Sequence, residues 1–83
     1  MALGETLVKK LAKKFTPDEM VDLRHGSNDM TVKTDGDGNA ILLFIGKRLE
    51  NGHIKGERYA RRLVFDESGK TVKDHWELKG KST

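Results

Sequence analysis

Residues 40–78 read AILLFIGKRLENGHIKGERYARRLVFDESGKTVKDHWEL, and the spacing of turns within this stretch decides the fold. Apolar, β-branched and aromatic side chains come in runs of strand length, separated by turn-forming clusters. Asn51-Gly52 is the strongest short hairpin signal, because a type I′ turn needs positive φ at both central residues. Asp66-Glu67-Ser68-Gly69-Lys70 suits a three-residue hairpin loop with Gly69 in the left-handed position. The turns predict strands over 40–49, 54–65 and 71–78. Upstream, residues 30–34 predict a short strand that ends in the loop Asp35-Gly36-Asp37-Gly38-Asn39.

Turn geometry implies a register. A two-residue turn at Asn51-Gly52 pairs Glu50 with His53, and counting outward pairs Ile45 with Arg58, Phe44 with Tyr59 and Leu43 with Ala60. Closing Asp66 on Lys70 pairs Val64 with Val72, Arg62 with Asp74, Arg61 with His75 and Ala60 with Trp76. Directly opposed residues share a face. One face then collects Ile41, Leu43, Ile45, Ala60, Val64, Val72, Trp76 and Leu78 as the better core. The other collects Leu42, Phe44, Tyr59, Leu63 and Phe65 between Arg61, Lys73, His75 and Glu77.

Before the strands, Leu3, Leu7, Val8, Leu11, Ala12 and Phe15 recur at helical spacing, opposite Glu5, Lys9, Lys10, Lys13 and Lys14. This pattern predicts an amphipathic helix over 3–14, docked on the better core face. Thr16-Pro17-Asp18-Glu19 has the form of a helix start, with Thr16 as N-cap and Glu19 closing a capping box. Residues 17–25 therefore read as a second short helix, or as a strand over 20–24. The expected fold is α+β: an N-terminal amphipathic helix, with or without a second one, packed on a three- to four-stranded antiparallel β-meander. Residues 1–80 form one domain and 81–83 a flexible tail.

A chain of 83 residues with no cysteine has a thin core and no disulfide or thiolate–zinc reinforcement. The longest apolar run, 40–45, is far shorter than the ~20 residues of a membrane span. These features fit a cytoplasmic protein without a membrane role. The net charge of +3 is unevenly spread: residues 1–15 and 40–62 are basic, and 16–39 acidic.

Chemistry-bearing motifs fail on inspection. An EF-hand loop begun at Asp35 needs glycine at its sixth position and glutamate at its twelfth, where this chain has Ala40 and Gly46. Gly69-Lys70-Thr71 ends like a P-loop, but Val64 stands where the first glycine belongs, and a strand follows instead of a helix. His25, His53 and His75 have no metal-ligand spacing. Ser27, Ser68 and Ser82 lie in turns or the tail, none in a nucleophile elbow. Glu57 and Glu77 have no pocket around them. No enzyme activity, cofactor, metal or small-molecule ligand is therefore expected.

Two binding readings remain. The first is an interaction or regulatory module that self-associates or binds a protein through the semi-apolar face, using Leu42, Phe44, Tyr59, Arg61, Leu63, Phe65 and His75. The second is a nucleic-acid-binding module using Lys47, Lys55, Tyr59, Arg61 and Lys73, with cations on phosphate and Tyr59 stacking on a base.

Overall fold

Turn residues divide the chain into hairpins, and a computed structural model, which describes residues 4–82, shows how they assemble. One helix, α1 (Glu5–Ala12), precedes five strands: β1 (Met20–His25), β2 (Asn28–Thr34), β3 (Ala40–Arg48), β4 (Ile54–Phe65) and β5 (Thr71–Ser82). Every strand pairs antiparallel with its neighbour in sequence, in the order β1-β2-β3-β4-β5. The sheet is thus an α+β meander of five strands, one more than the upper count expected.

The added strand is β1, so residues 17–25 take the strand alternative and the second short helix is not formed. Thr16-Pro17-Asp18-Glu19 does not start a helix, because a distant side chain takes the Glu19 N–H that a capping box would use and the Thr16 carbonyl that would accept the first helical bond. The Thr34 hydroxyl donates to the Thr16 carbonyl at 2.6 Å and accepts the Glu19 N–H at 2.9 Å. Asp18 adopts φ 53° and donates its N–H to the Asp35 carbonyl at 2.9 Å. The chain therefore enters β1 already tied to the end of β2.

The β3–β4 connection corrects the expected register. Leu49, not Glu50, closes on His53: its N–H donates to the His53 carbonyl at 2.7 Å, and Gly52 N–H donates back to the Leu49 carbonyl at 2.9 Å. The loop is Glu50-Asn51-Gly52, and only Gly52 carries positive φ, at 90°, a role glycine fills without steric cost. Gly38 and Gly69 hold equivalent positions in the loops closed by Asp35 with Asn39 and by Asp66 with Lys70. The third loop matches its expectation. The first correction moves β4 by one residue, so that Leu43 faces Tyr59 and Leu42 faces Ala60. A one-residue slip turns every β4 side chain to the opposite face.

In β5, two residues stand outside the ladder. The register shifts between Val64 and Phe65 and again between Arg58 and Tyr59. Between the shifts Tyr59 pairs with Leu78, Arg61 with Trp76, Arg62 with His75 and Leu63 with Asp74. The expected Arg62–Asp74 and Ala60–Trp76 pairs are replaced. The ladder continues through Gly56 opposite Ser82, whose hydroxyl donates to the Ile54 carbonyl at 2.8 Å. Residues 81 and 82 are thus strand where a loose tail was expected, and Thr83 lies outside the described residues.

The helix side of the sheet holds the core: Leu7 and Leu11 of α1 with Met30, Val32, Ala40, Leu43 and Tyr59, flanked by Phe15, Val21, Leu23, Ile45 and Trp76. Val8 and Ala12, expected on the buried stripe, are exposed, so the stripe is narrower than the sequence pattern. Leu3 lies outside the described residues. Across the sheet from this core, Gly46 pairs with Gly56. A Cβ on Gly46 would lie 2.1 Å from the Lys55 carbonyl oxygen, and one on Gly56 2.1 Å from that of Ile45. The two backbones cross where no side chain fits.

Candidate interaction surface

The register correction splits the seven residues expected on one semi-apolar face. Leu42, Phe44 and His75 stay on the side away from the helix, in rows with Lys33, Ala60 and Glu77, with Thr31 and Arg58, and with Arg62. Tyr59, Arg61 and Leu63 turn to the helix side. Phe65 follows their alternation but sits at the end of β4, half exposed.

Tyr59 is core. Only 5% of it is exposed, and its hydroxyl donates to Glu57 Oε1 at 3.1 Å. Burial, then the adjacent Glu57 carboxylate, holds the phenol above its ordinary pKa. Arg61 is also structural. Its side chain is 6% exposed and forms a two-pronged contact with Asp74, with Nε–Oδ1 and Nη2–Oδ2 both at 2.7 Å. Nη1 donates to the carbonyls of Leu11 at 3.4 Å and Ala40 at 3.3 Å. The guanidinium carbon lies 5.8 Å from the Trp76 ring centroid. Arg61 therefore ties the C-terminal end of α1, the start of β3 and β5 together. Its hydrogen bond to Asp74 is the main cause of that carboxyl's lowered pKa.

These two positions remove the stacking ring and one cation from the expected nucleic-acid set. Lys47 and Lys55 face each other directly near the β3–β4 turn, both exposed, and Lys73 pairs with Val64 in the distal half of the β4–β5 hairpin. The five residues do not converge.

Two further features were missed in the sequence. The first is a shallow cleft of about 250 Å³ on the side away from the helix, lined by Met20, Thr31, Phe44, Gly52, His53, Ile54 and Ser82. Arg48 braces its rim, donating to the carbonyls of Gly52 at 2.8 Å and Met30 at 2.9 Å and pairing with Asp22 at 3.3 Å. Nothing in the residue spacing announces it, because it depends on five strands and a turn. Among the described residues, no three or more His, Cys, Asp or Glu side chains are grouped to hold a metal ion, and no helix is long and apolar enough to cross a membrane.

The second feature is an arm. The β3–β4 register ends at Leu42 opposite Ala60, whereas β4 and β5 remain paired as far as Phe65 opposite Thr71. The last residues of β4 and the first of β5 thus run on as a two-stranded ribbon. Here lie Val64, Phe65 and Val72, which are 40%, 50% and 61% exposed, with half-buried Leu63 between them. The hairpin loop at the tip is cross-braced: Asp66 Oδ1 accepts from the Ser68 N–H, the Ser68 hydroxyl and the Lys70 N–H, at 2.7 to 2.9 Å. Those bonds, led by the Ser68 hydroxyl, hold the Asp66 carboxyl below its ordinary pKa. A cross-braced turn therefore closes the ribbon that carries these apolar side chains.

Comparison of the chain with family models, with curated proteins and with solved structures returns no match.

Proposed function

We propose that this chain is a cytoplasmic, non-enzymatic association module that binds a protein surface through the projecting β4–β5 arm. One observation carries the reading: Val64, Phe65 and Val72 are exposed, with half-buried Leu63 beside them, on a ribbon that extends past the end of the β3–β4 ladder. Two-stranded ribbons alone are marginal in water, and apolar groups clustered in the open mark contact sites. The expected contact surface thus keeps Leu63 and Phe65 and loses Tyr59 and Arg61 to the fold.

The chain contains no cysteine, so one introduced thiol reports on one place. Phe65→Cys should react quickly with a soluble maleimide in dilute purified protein and slowly inside the producing cell, where the arm is occupied. Val8→Cys, on the exposed side of α1, should show no such protection. Equal reactivity of the two positions in cells would overturn the reading.

A second reading rests on Lys33, Arg58, Arg62 and Lys73, four cations on the side away from the helix, none with an ion-pair partner within 4.0 Å among the described residues. They supply phosphate contacts for nucleic acid, without an exposed stacking platform. Such binding weakens steeply with salt, and no binding to single- or double-stranded probes at low salt would exclude it.

A further inference from the structure

The sheet has three open stretches of strand edge, and they are not equivalent. Along β1 the edge is short, and Lys10 Nζ donates to the Arg24 carbonyl at 2.5 Å. Along β5 the edge carries Lys73, Lys79 and Lys81 and two register shifts. Lysines and bulges are the usual means of blocking edge-to-edge pairing. The third stretch is β4 beyond Ala60, on the side where β3 has ended, and it carries Leu63, Val64 and Phe65.

Hydrogen-bonding groups alternate between the two sides of a strand, and two contacts fix which side each residue serves. Asp66 donates its N–H to Lys70 across the hairpin, and the His53 carbonyl accepts from Leu49 of the β3 side. Even-numbered residues of β4 therefore address β5, and odd-numbered residues address β3. Leu63 and Phe65 are past the end of the β3 ladder, so their N–H and C=O groups point to an open edge.

We infer that the occupant of this edge is a second copy of the chain, paired antiparallel through residues 62–66 about a two-fold axis at Val64. This rests on the arm being the contact surface. Charge complementarity argues for the second copy: Arg62-Leu63-Val64-Phe65-Asp66 has a cation at one end, an acid at the other and three apolar residues between. Antiparallel self-pairing at Val64 sets Arg62 opposite the partner's Asp66, twice by symmetry. It also sets Leu63 opposite the partner's Phe65, and these are the residues whose backbone groups face the open edge. Arg62 has no ion-pair partner within 4.0 Å among the described residues. The turn bonds of Asp66 all use Oδ1, which leaves Oδ2 for the incoming guanidinium.

Opposite residues on the axis form a non-hydrogen-bonded pair, with Cα atoms about 4.5 Å apart, within the disulfide range of about 4.4–6.8 Å. In sedimentation equilibrium the wild type should show a monomer–dimer equilibrium. Val64→Cys should give a covalent dimer on mild oxidation, and Val72→Cys, across the ribbon, should not. Arg62→Glu, which sets two acids opposite each other, should weaken dimerisation at least about tenfold. Cross-linking through Val72→Cys instead of Val64→Cys would overturn the edge assignment, and an Arg62→Glu dimer of unchanged affinity would overturn the register. A wild type that stays monomeric at every concentration, with Phe65→Cys still protected in cells, removes the second copy and keeps the arm. Loss of that protection as well removes both.

Discussion

Arg61→Met keeps a long apolar stem and removes the guanidinium, and its cost follows from four contacts. Two are charge-assisted hydrogen bonds to Asp74 at 2.7 Å, and two are longer bonds to the Leu11 and Ala40 carbonyls. Hydrogen bonds to charged groups contribute about 1.5–3 kcal/mol each when both partners are buried. Asp74 is 38% exposed, so water recovers part of that loss, and the two long bonds add a few tenths each. The net destabilisation should be about 2–3 kcal/mol, against about 4–12 kcal/mol of total stability for a domain of this length. Urea unfolding of Arg61→Met, Asp74→Asn and the double variant measures it as a cycle, with a coupling of about 1–2 kcal/mol expected. The pH dependence supplies a second check. Because the folded Asp74 carboxyl lies below its ordinary value of 3.8, its contribution is present above that pH and disappears as pH falls through the lower, folded value. In Arg61→Met the acid-side loss of stability should shrink. An unchanged urea midpoint, or a pH profile that matches the wild type, would refute the tie between Arg61, Asp74 and the helix end.

Leu11 is fully buried against the sheet, and Leu11→Ala should cost about 3–4 kcal/mol, read as a large drop in the thermal midpoint. Val8→Ala on the same helix should shift it little, since Val8 is exposed. Gly46→Ala places a methyl 2.1 Å from the Lys55 carbonyl oxygen, so the strands must separate there, and the variant should lose its cooperative melt or accumulate as insoluble protein.

The meander was legible because glycine-bearing loops recur between apolar runs, and the three strands from residue 40 onward were placed by those loops. The β3–β4 register was not, and a single residue accounts for the difference. Asn51-Gly52 satisfies a two-residue turn, but it also satisfies the last two places of a three-residue loop closed by Leu49 and His53. The loop at Asp66 shows the same glycine position, so the analogy between Gly52 and Gly69 was the available signal. Each alternative differs by little locally, and the choice depends on which β4 face finds the helix. With Tyr59 inward, the core gains a large ring beside Leu43 and Leu7, and Arg61 reaches the helix end. β1 was one of two alternatives for residues 17–25, and local signals could not choose it over a helix: Thr34, eighteen residues away, takes the Thr16 carbonyl, and no local rule anticipates a distant hydroxyl. The unpaired residues of β5 left no mark in the sequence. The arm followed only once the different lengths of the β3–β4 and β4–β5 ladders were known.

Because each strand pairs with the one just before it, most of the sheet can zip up through short loop closures, which are kinetically favourable. The helix is the exception. Its packing surface is spread over β2, β3 and β4, and Arg61 meets Leu11 across 50 residues of chain. α1 is therefore synthesised before the strands it packs on, and its full docking surface exists only once β4 has paired. An isolated helix of eight residues has little stability of its own. Until β4 arrives, Leu7 and Leu11 remain in water beside basic neighbours, and the lysines of this segment keep the waiting chain soluble. Completing the core requires one long closure, in which the arginine at the base of the arm meets the end of the helix.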